Sequence, residues 1–358
     1  MELERIVSAL AEDVQSGLLP GGVLLVSQGA RVSESVLGFR DATATMPMTP
    51  DTLFWAASMT KPLTAVLSLI LVQDGALSLT DRVDTFLPEF RDQVVGLDRR
   101  PLRRPILIRD LLMHTSGIVE GALGDTSLHR QYFDAVRNGI TPLDGSEFTH
   151  ALAELPLMHQ PGEFWHYGFG YDVLGQVLER ITGVRLAELM AARLFAPLGM
   201  RDSTFALTAL NRSRLAEAFP TDPLTGDSSP LPDVSVMRFD SGGVGVFTTA
   251  HDYASFGRFL LGEGESVSSL LDPFLIKHMT SDLLTPKIQG GPSDINPLLH
   301  GYGFGLGVAV SPSGDYSWPG FSGTNWWNAP NRGIGVVWMA HTPSPIRYRF
   351  RQALRDLI

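Results

Sequence analysis

Ser58 and Lys61 stand three residues apart in FWAASMTKPLTAV, in a chain that holds only three lysines, Lys61, Lys277 and Lys287. With so few lysines, chance supplies about 0.2 Ser-x-x-Lys pairs at ordinary serine frequency. On a helix, residues three apart share a face and touch. A serine at a helix N-terminus has its anion stabilised by the dipole and by unsatisfied N–H groups. A lysine beside it accepts the hydroxyl proton when neutral, or favours the alkoxide when charged. The chemistry of such a pair is nucleophilic acyl transfer. The bland alternative is a solvated lysine next to a capping serine. Against it stands the apolar stretch from Pro62 to Val72 (PLTAVLSLILV), because a lysine leading a buried helix requires a partner.

The elements that must position this pair follow from periodicity. MELERIVSALAEDVQ places Leu3, Ile6, Val7, Leu10 and Val14 at helical spacing. Two β-rich runs then flank a turn at Gln28-Gly29-Ala30, a hairpin signature. GYGFGLGVAV, DYSWPGFSGTNWWNAP and GIGVVWMAH (333–341) predict further antiparallel strands, and a closing helix follows from about Pro345 to Ile358, with Phe350, Leu354 and Leu357 on one side. Between about Thr60 and Leu284 helical periodicity dominates, broken by loops such as 220–233 and 289–297. The economical arrangement is α+β: one antiparallel sheet from both termini, flanked by terminal helices, with a mostly helical domain inserted. Residues 1–59 and 300–358 form the sheet domain, 60–299 the helical one, and the active site is expected at their interface.

Composition removes several classes. At 358 residues the chain can bury a large core, and 44% hydrophobic against 18% charged residues excludes disorder. A net charge of −10 opposes nucleic-acid binding, and the absence of cysteine removes disulfides, thiol nucleophiles and thiolate metal sites. The N-terminus lacks a basic start and an unbroken apolar run, and no stretch approaches the ~20 residues of a membrane span, so a cytoplasmic protein is expected. No His-Glu-x-x-His or compact ligand set predicts a metal. GFSGT (320–324) ends in Thr and fails as a Gly-x-Ser-x-Gly elbow. The glycines of GYGFGLG precede no helix and are no dinucleotide fingerprint. Arg99, Arg100, Arg103, Arg104 and Arg109 crowd one stretch, which reads as a solvated surface more readily than as a dock for an acidic partner.

Several blocks, in order, carry a resemblance. TLFWAASMTKPLTA, QDGALSLTDRVDTFLPEF (73–90), ILIRDLLMHTSG (106–117), PGEFWHYGFGYDVLGQVLE (161–179), SGGVGVFTTAHDYASFGRFLL (241–261), GYGFGLGV (301–308) and WPGFSGTNWWNAP (318–330) span nearly the whole chain. It resembles the serine β-lactamase and penicillin-binding-protein superfamily, in its class C branch, closest to family VIII carboxylesterases and related transesterases. The resemblance implies a β-lactamase-like fold with Ser58 as nucleophile, Lys61 as its partner and Tyr167 as general acid/base. It also implies an oxyanion hole from the backbone N–H groups of Ser58 and Phe321, and no cofactor. His114 falls in a block that is mainly structural in that family.

Two departures bear on substrate. The Tyr-x-Asn motif is here Tyr167-Gly168-Phe169, and the third motif is Trp318-Pro319-Gly320 in place of Lys-Thr-Gly. By that resemblance the amide-binding Asn is lost and the cation that would hold a β-lactam carboxylate is expected to be missing. Trp318, Gly320 and Phe169 are expected to line an apolar pocket, with Trp55 nearby, whereas Trp326 and Trp327 cannot both face it. Pro319 suits an exposed edge strand. Tyr has a reference pKa near ~10, which a neighbouring Lys61 cation is expected to lower. The expected function is a serine hydrolase cleaving small-molecule carboxylic esters through a Ser58 acyl-enzyme. An acyltransferase using the same intermediate is the alternative. A β-lactamase or D-amino-acid peptidase ranks lower, and a non-catalytic binding protein lowest.

Overall fold

The computed structural model describes residues 2–263, 270–343 and 345–355. Its centre is a seven-stranded antiparallel sheet assembled from the two ends of the chain. β1 (Gly21–Gln28) and β2 (Arg31–Gly38) form the N-terminal hairpin, joined through Gly29, whose φ of +57° suits a residue without Cβ. Numbering onward along the chain, β3 (Phe54–Trp55) and β4 (Phe247–Thr248) form a separate short ladder. β5 (Gly303–Phe304), β6 (Ala309–Val310), β7 (Tyr316–Pro319), β8 (Asn325–Ala329) and β9 (Ile334–Met339) complete the large sheet in the order β2-β1-β9-β8-β7-β6-β5. The segment between its two halves is mainly helical.

Alternation along the strands decides which layer covers which face. Leu24, Trp327, Val336 and Trp338 pack with Leu10 of α1 (Glu2–Gln15) and with Phe350 and Leu354 of the closing helix. The opposite face presents Val23, Leu25, Trp326, Val337 and Met339 to the main core, where α2 (Thr60–Gln73) lies buried along most of its length. Trp326 and Trp327 thus point to opposite faces, and neither lines the cleft. Thr64 and Ser68 interrupt the apolar run of α2 at no cost in unpaired hydroxyls. Thr64 Oγ1 donates to Gly242 O at 2.7 Å and Ser68 Oγ to Thr64 O at 2.8 Å.

The remaining helices that matter for the site are α3 (Ser127–Val136), α4 (Gly145–Ala153), α5 (Gly170–Thr182), α6 (Ala250–Leu260) and α7 (Arg347–Arg355). α6 packs directly on β9 and β1, so part of the central segment covers the sheet itself. Leu357, expected on the closing helix, lies outside the described residues. Among the described residues no helix is long and apolar enough to cross a membrane.

Candidate active site

The chain leaves β3 and enters a single 3-10 turn, Ala57–Met59, that leads into α2. Ala57 has φ +46°, a left-handed conformation costly for a residue with a Cβ, and it directly precedes Ser58. Lys61 follows on the first turn of α2 and is only 3% exposed. Its Nζ donates to Gly243 O at 3.0 Å and reaches Ser58 Oγ at 3.4 Å. Tyr167 arrives from the segment before α5, with its hydroxyl 2.6 Å from the same serine oxygen. Lys61 Nζ also stands 4.6 Å over the Tyr167 ring.

Lys61 is aimed from the far side of the site. Asp172, in the first turn of α5, accepts hydrogen bonds from Ser241 Oγ and from Gly243 N–H at 3.3 Å. This fixes the 241–243 segment with its last carbonyl toward Lys61. A Cβ on Gly243 would stand 2.6 Å from Asp172 Oδ2, so a larger residue would displace the carboxylate that holds this segment. Neither Asp172 nor Gly243 carries a sequence signal comparable to Ser-x-x-Lys, because their contacts join segments about 70 residues apart.

Burial pushes the Tyr167 phenol above its ordinary value of 10.0, and nearby Glu120 adds to the rise. Lys61 and the Ser58 hydrogen bond pull downward without prevailing. Lys61 pulls in the expected direction, but loss of hydration outweighs one neighbouring cation and the net shift is upward. His114, packed 4.5 Å from the Tyr167 ring and 5.2 Å from that of Tyr171, is held well below its ordinary range by burial and by Lys61. It is a neutral aromatic spacer behind Tyr167. Trp318 stacks on Tyr167 at 5.7 Å.

These groups form the floor of a cleft of about 610 Å³. Trp318, Pro319, Gly320 and Phe321 line one side, and Phe169 and Trp55 also reach it. Leu123, Phe133 and Ile140 from the 118–150 segment, with Pro230 and Pro232 from the 220–233 loop, supply apolar walls. Glu120 lies among them, and burial pushes its carboxyl up to about 7, with Lys61 pulling down and Asp172 pushing up. Pro319 was expected on an edge strand, but β7 is interior, with β8 on one side and β6 on the other. The proline is tolerated because β6 pairs only with Tyr316 and Ser317. The ladder stops before Pro319, and the cleft opens there.

The cleft also holds positive charge that the third motif does not reveal. Arg347 and Arg351 project into it from α7. The arginine-rich stretch is elsewhere and largely neutralised: Arg100 pairs with Asp98, Arg103 with Glu163 and Arg104 with Asp110.

A left-handed turn before Ser58, with a buried lysine and a tyrosine converging on one serine oxygen beside an antiparallel sheet, is an arrangement suited to serine acyl transfer. The Beta-lactamase family model matches residues 4–358, and the chain belongs to that family. Protein Rv1367c of Mycobacterium tuberculosis is 36% identical over 92% of this chain and 87% of its own. Esterase EstB of Burkholderia gladioli is 29% identical over 94% of this chain and 90% of its own. Among solved structures, EstCE1, a hydrolase with promiscuous acyltransferase activity, superposes with a TM-score of 0.84 at 25% identity, covering 99% of this chain and 98% of that one.

Proposed function

We propose that this protein is a serine carboxylesterase in which Ser58 is acylated, Lys61 orients and polarises it, and Tyr167 relays the proton. The observation that carries this is the convergence of Tyr167 OH (2.6 Å) and Lys61 Nζ (3.4 Å) on Ser58 Oγ at the cleft floor. Ser58 Oγ forms a bond to the acyl carbon as its proton passes to the Tyr167 oxygen. The phenol proton passes to the leaving alkoxide as the ester C–O bond breaks. Because burial favours the neutral phenol, Tyr167 works as a relay that gains one proton while losing another, with no lasting phenolate. Water then enters and the same relay runs in reverse. The backbone N–H groups of Ser58 and Phe321 receive the oxyanion in both halves.

Apolar walls and the loss of the amide-binding Asn favour an uncharged acyl group over a lactam. EstB is an esterase, and EstCE1 is a hydrolase with promiscuous acyltransferase activity. An alcohol replacing water at the acyl-enzyme is therefore the second reading. Intact-mass spectrometry during turnover of a short p-nitrophenyl ester tests both, comparing wild type with Ser58→Ala, with and without added alcohol. An acyl adduct on wild type alone, with the ester hydrolysed, is the expected result. An adduct that persists in water and discharges to alcohol assigns an acyltransferase instead. Equal rates and no adduct on either protein would sink the Ser58 mechanism.

A further inference from the structure

Arg351 is a buried cation, 4% exposed, with no carboxylate in ion-pair contact among the described residues. Burial pushes its guanidinium down to about 9, and Arg347, one turn earlier on α7, adds repulsion. A charge in such a place requires compensation. It comes from two peptide carbonyls: one guanidinium nitrogen donates to Gly320 O and, at 3.2 Å, to Thr324 O. These carbonyls close the turn after β7, in which Gly320 N–H donates to Thr324 O at 2.9 Å and Gly323 N–H to Gly320 O at 3.2 Å.

Gly320 C=O and Phe321 N–H belong to the same planar peptide unit. A cation bonded to the oxygen draws density through the amide and makes the N–H a stronger donor. It also fixes the plane of that peptide and so the direction of the N–H. Among the described residues Phe321 N–H meets no acceptor. Arg347 lies 5.3 Å from the Phe321 ring, so the same helix holds both the side chain of residue 321 and the peptide before it. The other peptide of the pair is treated alike by simpler means: Thr60 N–H donates to Ala57 O, the carbonyl partner of Ser58 N–H.

We propose that Arg351 is a positioning residue that orients and polarises the Gly320–Phe321 peptide for oxyanion binding. This rests on the Ser58 acyl-enzyme reading and extends it to a residue that acts through the peptide it holds. Because the oxyanion exists only in the transition states and tetrahedral intermediates, the clamp acts on turnover and leaves ground-state binding alone.

The test uses the full-length protein with Arg351→Lys and Arg351→Met, each checked for folding by thermal unfolding. Lysine restores the charge with a single donor group and keeps the comparison open if methionine unfolds. The readouts are kcat and KM on a p-nitrophenyl ester, the rate of labelling by a p-nitrophenyl phosphonate, and the Phe321 amide proton shift in 15N-phenylalanine protein. The expected result is kcat lower by about 10-fold with KM nearly unchanged, labelling slowed in parallel, and the amide proton moved upfield. Folded variants with unchanged kcat, with only a raised KM, or with an unmoved amide overturn the proposal. A raised KM alone would make Arg351 a residue that supports ground-state binding of the ester. Ser58→Ala labelling as fast as wild type would remove the nucleophile reading and the catalytic consequence with it, while the amide shift still reports the clamp independently.

Discussion

Lys61, on the floor of the cleft, is 3% exposed and tied to a backbone carbonyl, whereas Phe133 and Phe321 on the walls are 46% and 49% exposed. The floor is assembled from β3, α2, the segment before α5 and the 241–243 segment: Phe54, Leu63 and Phe169 pack in the main core, Tyr167 packs in a smaller cluster with Trp318, and Asp172 holds residues 241–243. The walls come from α3, the stretch after it, the 220–233 loop and the turn after β7. Proton relay between three groups needs atoms held within a few tenths of an ångström, which only a packed core supplies. Substrate choice needs apolar area at the surface, which can change without disturbing the relay. Ser58 sits at the border of the two, half-buried, open to the cleft on one side and to its two partners on the other.

Removing a floor group therefore has the largest effect. Tyr167→Phe keeps the ring against Trp318 and His114 but deletes the oxygen proposed as the relay, and kcat for ester hydrolysis is expected to fall on the order of 100- to 10,000-fold. Steady-state kinetics with an unchanged thermal midpoint would establish this. A loss under tenfold would place the proton relay elsewhere. Changes in the walls sharpen the contrast. Phe133→Ala is expected to lower kcat/KM for long-chain acyl esters about 10-fold relative to acetyl esters, by removing apolar contact area. Equal losses on both would mean that α3 supports the floor and not the pocket.

Glu120 lies between the two regimes, a wall residue within reach of the floor charges. Its folded pKa, about 7, lies above the ordinary 4.5. A carboxyl raised in this way adds stability below about 4.5, and the addition is lost as pH climbs through 7, where burying the anion opposes folding. Glu120→Gln removes that dependence. Thermal midpoints of wild type and variant should draw apart from pH 4.5 to 7, with wild type falling relative to the variant. Parallel curves would show that Glu120 titrates as an ordinary exposed carboxyl.

Much of this site is legible in the chain because its first contact is local. Ser58 and Lys61 touch because three residues span just under one helical turn, and the apolar run after them announces that the turn is buried. Strand alternation likewise separates Trp326 from Trp327 before any packing is known. Tyr167 is different: no spacing connects it to Ser58 across 109 residues, and only the ordered series of family-like blocks places it there. The edge-strand reading of Pro319 failed because the length of the neighbouring β6 is set by pairing, which local composition does not report.

By itself, then, the amino-acid order determined the contact of Ser58 with Lys61, the alternating faces of the sheet and the apolar helix that carries Lys61. These depend on helix and strand geometry within a few residues. Tertiary structure alone decided the protonation of Tyr167, the raised carboxyl of Glu120, the aim of Lys61 at Gly243 and the grip of Arg351 on Gly320. Each of these is set by water excluded and dipoles gathered from segments far apart in the chain. Desolvation and long-range hydrogen bonding have no period, so they leave no pattern along a sequence.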